Sequence, residues 1–203
     1  MKIAIVNYGM GNIYSVQSAL RFLGVESEFT NNRNELLKSD KIILPGVGSF
    51  AEAMKIIKRL ELDKVIKEAV LENNISILGI CLGMQLLGIS STEDGYTEGL
   101  NLYDGFVEKF NFLDKRIKVP HIGFNEVVKP DDTILYKNLS NNLDFYFVHS
   151  YRMTTKNKNG VAYCNYGEPF VASFERDNVF GTQFHPEKSQ SNGLALLKNF
   201  INY

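Results

Sequence analysis

Apolar positions along the first half of the chain come in two alternating kinds. Short continuous runs stand at Lys2–Val6, Val25–Phe29, Lys41–Leu44 and Ile75–Ile80, as strands buried on both faces of a parallel sheet require. Between them the apolar residues fall at helical spacing: Ile13, Val16, Leu20 and Leu23, then Phe50, Met54 and Ile57, then Leu62, Val65, Ile66 and Ala69. Gly24 closes the first helix, and Ser49 is placed to cap the second, after the break Pro45-Gly46-Val47-Gly48. Strand alternating with helix predicts a parallel sheet covered on both faces. The second half changes character. Phe106–Phe110, Val119–Val128, Asp144–His149, Val161–Tyr166, Phe170–Phe174 and Val179–Phe184 read as strands with little helix between them, and Gly193–Ile201 as a closing helix. The expected fold is α/β, a mixed, mainly parallel sheet under helices on both faces, with antiparallel strands in the second half. No repeat, low-complexity tract or linker divides residues 1–203, so one domain is expected.

Composition narrows the classes. With 203 residues and 44% hydrophobic content a sizeable core is available, and disorder is excluded. A net charge of -1 without a basic block speaks against a nucleic-acid surface. No apolar run approaches the ~20 residues of a membrane span. The two cysteines, Cys81 and Cys164, form neither a disulfide framework nor a metal-ligand spacing and suit a reducing compartment. The N-terminal apolar run is too short for a signal peptide. A cytoplasmic protein without cofactor or metal is expected.

One stretch carries candidate chemistry. Ile75–Ile80 leads into Cys81, flanked by Gly79 and Gly83, and the good helix formers Leu82–Leu87 follow. Gly-x-Cys-x-Gly is the cysteine form of a sharp strand-to-helix turn that exposes one nucleophile at the top of a sheet. By itself this stretch reads equally well as core, since cysteine is among the most buried residues. A nucleophilic cysteine needs a base, and that base a third group to orient it. His185, in Gln183-Phe184-His185-Pro186-Glu187, supplies both in one motif. In extended chain residues i and i+2 project to one side, which lets Glu187 reach the imidazole.

Together these motifs resemble the class I (triad) glutamine amidotransferases, whose fold is flavodoxin-like. Asn7-Tyr8-Gly9-Met10-Gly11-Asn12, Pro45-Gly46-Val47-Gly48, Val119-Pro120-His121-Ile122-Gly123-Phe124-Asn125 and Tyr146-Phe147-Val148-His149-Ser150-Tyr151 extend the likeness over the whole chain. They make it similar, within that family, to the glutaminase subunits of imidazole glycerol phosphate synthases. The resemblance implies that Cys81 attacks the side-chain amide of L-glutamine, that His185 is acid and base, and that Glu187 orients it. It implies an oxyanion hole from Leu82 and from Val47 and Gly48, whose segment is thought to reorient when a partner engages. Glutamine would be held by Gly46, Gln85, His149, Ser150 and Tyr151; His121 is left as structural or interfacial. The implied partner is a TIM-barrel cyclase that receives ammonia through a closed channel, contacted through Asn12, Phe124, Asn125, Tyr146 and Lys188.

The chain departs from the family at three places. Asn7 stands where the family has an acid, Phe124 where it has tryptophan, and Asn101-Leu102-Tyr103-Asp104-Gly105 replaces a Gly-Leu-Ile-Pro-Gly-like segment. None touches the triad. They leave open a paralogous glutaminase that feeds surface-sugar synthesis. A catalytically silent regulatory subunit would lack a triad residue, and all three are present.

Overall fold

Isoleucine-rich runs form the centre of a nine-stranded sheet in the computed structural model, which describes every residue except 113, 115 and 140–142. Strands β1 (Ile3–Val6), β2 (Ser27–Thr30), β3 (Lys41–Gly46) and β4 (Ser76–Cys81) pair in parallel in the order β2-β1-β3-β4. Every residue of β1, β3 and β4 is buried, which is why they read as unbroken apolar runs. Alternation decides which face each residue serves. Ile3 and Ile5 pack with helices α1 (Ile13–Phe22) and α6 (Gln190–Asn202), through Val16, Leu20, Leu197 and Phe200. Ala4 and Val6 pack on the opposite face with α3 (Phe50–Arg59) and α4 (Leu62–Lys67), through Phe50, Met54, Ile57 and Ile66. Ser49 caps α3 as expected, its side chain accepting from the Glu52 N–H. The pattern over Leu62–Ala69 is α-helical only to Lys67 and widens into a π turn over Glu68–Glu72.

The second half extends the same sheet. The remaining strands are β5 (Ser90–Ser91), β6 (Thr97–Glu98), β7 (Phe106–Lys109), β8 (His121–Val128), β9 (Asp144–His149), β10 (Tyr151–Thr154), β11 (Val161–Tyr166), β12 (Glu168–Arg176) and β13 (Val179–Thr182). β13 inserts beside β4 in parallel, and β12, β11, β8 and β9 continue outward antiparallel. The expected mixed sheet is therefore found, with its switch from parallel to antiparallel between β13 and β12. Four elements lie outside the expected pattern. α2 (Arg33–Leu37) is short, begun by Asn32, whose side chain accepts from Asn34 and Glu35 N–H. β5, β6 and β10 join β7 in a separate four-stranded sheet. Among the described residues no helix is long and apolar enough to cross a membrane.

Candidate active site

The bend at the end of β4 is forced by close backbone approach. β4 ends on Cys81, and helix α5 (Leu82–Leu86) starts at the next residue. Cys81 itself takes φ 55° and ψ -112°, a conformation side-chain-bearing residues rarely adopt and one that concentrates at functional sites. Gly83 sits so near β3 that a Cβ there would be 1.7 Å from the Leu44 carbonyl oxygen, and a Cβ on Gly79 would be 2.6 Å from the Met84 nitrogen. The two glycines are thus requirements of the packing between β3, β4 and α5.

β13 runs parallel to β4, so the chain leaving it arrives beside Cys81. His185 is fixed there by its backbone: its N–H donates to the Tyr146 carbonyl at 2.9 Å, and its carbonyl accepts from the Ser189 hydroxyl at 2.6 Å. Pro186–Lys188 is a 3-10 turn and not the extended chain expected. Glu187 reaches the imidazole because the turn folds back, placing its Oε1 2.8 Å from His185 Nδ1. Both side chains are almost sealed from solvent, at 3% and 1% exposure. A carboxylate against Nδ1 keeps the proton on that nitrogen and leaves Nε2 for Cys81. Nε2 has no hydrogen-bond partner of ordinary geometry among the described residues, and Cys81 is the group that acts on it. Burial opposes charge on His185, but Cys81 and Glu187 outweigh it and raise its pKa to about 10.

Cys81 and His185 open onto a cavity of about 430 Å³, whose lining also includes Val47, Gly48, Leu82, Gln85, Ser150 and Tyr151. This lies within the range of small-molecule sites. Three of the residues expected here stand differently in the structure. Gly46 does not line the cavity; it is buried behind the wall, where a Cβ would meet Tyr8 Oη at 2.6 Å and Leu82 Cβ at 2.9 Å. His149 lines the cavity but has both ring nitrogens committed, Nδ1 to the Tyr151 carbonyl at 2.8 Å and Nε2 to His121 Nδ1 at 3.1 Å. It offers a wall and no free donor, and burial lowers its pKa to about 3. Val47 does not present its N–H to the site, because that group donates to the Met10 carbonyl at 3.3 Å. Gln85 keeps only its oxygen free, since Nε2 donates to the Tyr151 carbonyl and to Gln183 Oε1.

A nucleophile turn, a base and its orienter over one cavity match a particular family in sequence as well. The family described as glutamine amidotransferase class-I matches residues 4–203. The chain belongs to it. This amidotransferase is 47% identical over 199 residues to the imidazole glycerol phosphate synthase subunit HisH 1 of Campylobacter jejuni (strain RM1221), covering 98% of each chain. It is 46% identical to the HisH subunit of Moorella thermoacetica, over 98% of this chain and 93% of the relative. To that of Methanosarcina acetivorans it is 45% identical, over 98% of each. In fold the amidotransferase resembles PurLQS from Thermotoga maritima, with TM-score 0.74, 19% identity, and coverage of 100% of this chain and 98% of that one. A glutamine amidotransferase from the same organism gives TM-score 0.65 at 18% identity, over 100% and 81% of the two chains.

Three lining residues were not among the expected site residues, Pro120, Val148 and the charged Glu93. Glu93 follows a stretch of small hydroxyl residues with no motif around it, so only the fold reveals it. Its Oε2 accepts the Phe50 N–H at 2.8 Å, and burial raises its carboxyl pKa. Of the five residues expected at a partner surface, three cluster. Phe124, half exposed, pairs across β8 and β9 with Tyr146, ring centroids 5.5 Å apart, and the Lys188 ammonium lies 5.9 Å from the Tyr146 ring. Asn125 alternates to the other face, where Nδ2 donates to the Asn165 carbonyl at 3.3 Å. Asn12 stands at the start of α1 without a side-chain capping bond.

Proposed function

We propose that this amidotransferase is the glutaminase subunit of an imidazole glycerol phosphate synthase, acting in the cytoplasm as a single domain that passes ammonia to a TIM-barrel cyclase. The observation that carries the reading is the Cys81, His185 and Glu187 constellation, with His185 held by Glu187 at 2.8 Å over the cavity. Glutamine's amide is a poor acyl donor, so covalent catalysis divides its hydrolysis into two easier steps. His185 Nε2 takes the thiol proton as Cys81 Sγ attacks the amide carbon, and gives that proton to the leaving ammonia. Water, deprotonated by the same nitrogen, then attacks the thioester and releases glutamate and the thiol. Glu187 holds the Nδ1–H tautomer and stabilises the imidazolium. The Leu82 N–H, next to the nucleophile, serves the developing oxyanion. Glu93 at the cavity wall is the counter-charge for the ammonium of glutamine, and Gln85 Oε1, Ser150 and Tyr151 are the remaining polar contacts.

Ammonia released in bulk water at neutral pH becomes ammonium, which is not nucleophilic, so delivery needs an enclosed path. Phe124, Tyr146 and Lys188 form the patch assigned to the cyclase. The test has two parts. Glutamate release should vanish in Cys81→Ala, and the gene should restore growth of a histidine auxotroph lacking its own glutaminase subunit. Glutamine hydrolysis that persists in Cys81→Ala would overturn the chemistry. Failure to complement, with hydrolysis intact, would move the ammonia to another acceptor such as a surface-sugar pathway.

A further inference from the structure

One fully buried polar side chain beside the nucleophile has no part in the mechanism above. Gln183 is 0% exposed, and its Nε2 lies 3.7 Å from Cys81 Sγ. The orientation of its amide follows from a backbone atom that can only accept. The Tyr151 carbonyl takes a hydrogen bond from Gln85 at 3.0 Å, so the Gln85 atom facing it must be Nε2. The second N–H of that same nitrogen points to Gln183 at 2.9 Å, so the Gln183 atom there must be the oxygen. Gln183 Nε2 is thereby left facing the sulfur, and it can only donate. The sulfur also lies 3.8 Å from the Val148 carbonyl, an acceptor. Cys81 therefore meets one acceptor, which suits S–H, and one donor, which suits S⁻.

We propose that Gln183 is a positioning residue for the nucleophile, its side-chain N–H holding the Cys81 thiolate and Gln85 locking the amide that provides it. The proposal rests on Cys81 being the nucleophile. A hydrogen bond to an ionised acceptor is about twice as strong as one to a neutral acceptor, so this contact favours the thiolate over the thiol. It also fixes the sulfur from the side away from the cavity, since Gln183 is not among the cavity-lining residues. Gln85 then has two duties, one toward Gln183 through its nitrogen and one toward the cavity through its oxygen.

The experiment reads the sulfur directly. Alkylation of Cys81 by iodoacetamide, followed by peptide mass mapping, gives the pH midpoint of thiolate formation in the whole chain. Gln183→Glu keeps the size and the oxygen that Gln85 needs but removes the donor; Gln183→Met removes both polar atoms. In each the midpoint should rise by roughly one pH unit, the scale of one hydrogen bond to a charged form. The rate of glutamate release should fall with little change in KM. A folded Gln183→Glu chain with an unshifted midpoint overturns the proposal. Should both variants fail to fold, the unsubstituted chain still decides. The side-chain amide protons of Gln183 should shift in NMR spectra as Cys81 titrates, and no such shift should occur in Cys81→Ala. Invariant Gln183 signals in the unsubstituted chain also overturn the proposal. Persistence of glutaminase activity in Cys81→Ala instead removes the functional reading, whatever Gln183 does.

Discussion

The backbone N–H of Val47 donates to the carbonyl of Met10 at 3.3 Å, so the turn after β3 is tied to the turn after β1 and away from the Cys81 sulfur. With the Val47 N–H turned away, the proposed oxyanion hole lacks one of the donors expected from this segment, and a missing donor lowers turnover by ~10²–10³-fold. The isolated chain should therefore hydrolyse glutamine slowly and speed up when the cyclase is added. Reorientation of the segment also turns on φ of the next residue, Gly48, which stands at 98° and where a Cβ would lie 2.9 Å from Met10 Cε. Gly48→Ala should cut partner-stimulated turnover ~10²–10³-fold, the cost of one lost donor, while iodoacetamide still alkylates Cys81. Full stimulation in Gly48→Ala would show that the segment does not move.

Glu187 provides a second test. Glu187→Gln removes the charge that faces His185 Nδ1 at 2.8 Å while preserving size. The rate of glutamate release should drop ~10²–10⁴-fold, as when the orienting acid of a triad is lost, with KM nearly unchanged. The contacts of His185 with Cys81 and Glu187 together set a pH dependence of stability. The His185 pKa is raised to about 10 from 6.5, so the folded chain binds the proton more tightly than the unfolded one. The stabilisation is complete below about 6.5 and is lost as pH rises toward 10. Urea midpoints of Glu187→Gln and the unsubstituted chain should differ at pH 6 and converge at pH 10.5; an equal gap at both would refute the assignment.

The glycine turn is the most demanding part of the fold. A Cβ on Gly83 would lie 1.7 Å from the Leu44 carbonyl oxygen, and backbone on both sides cannot yield as a side chain can. Gly83→Ala should cost at least the ~1–3 kcal/mol of ordinary overpacking and lower the urea midpoint or prevent folding. A variant as stable as the parent would mean that β3 and α5 separate without penalty.

What the sequence revealed and what it hid divide along physical lines. β1, β3 and β4 were legible because burial on both faces leaves only apolar choices. Gly79, Cys81 and Gly83 were legible because a strained bend admits few residues. β5 and β6 were not, being two residues each, and β10, with one buried residue in four, has no apolar run to mark it. The direction of the Val47 N–H is a property of a peptide plane and leaves no mark on side-chain pattern. Gln85 with Gln183, and His121 with His149, are partners 98 and 28 positions apart, so only the sheet order brings them together. Glu187 was found for an incomplete reason, since a 3-10 turn and not an extended strand delivers it.

The buried histidine pair sets a pH dependence opposite in sign to that of His185. His149 Nδ1 donates to the Tyr151 carbonyl, so its Nε2 must accept from His121 Nδ1, and both rings are neutral. His121 is stacked on Tyr166 and Phe147, with centroids 4.0 and 4.8 Å away. Burial lowers the pKa of His121 to about 4 and that of His149 to about 3. The unfolded chain then takes up protons first as pH falls. The pair's stabilisation is complete above about 6.5 and is lost between there and about 3. The urea midpoint should fall measurably between pH 7 and pH 5. His121→Gln keeps an amide donor for His149 and removes one titrating ring, so its midpoint should fall less over the same interval. A midpoint in His121→Gln that declines as steeply as in the parent would assign the acid sensitivity to other groups.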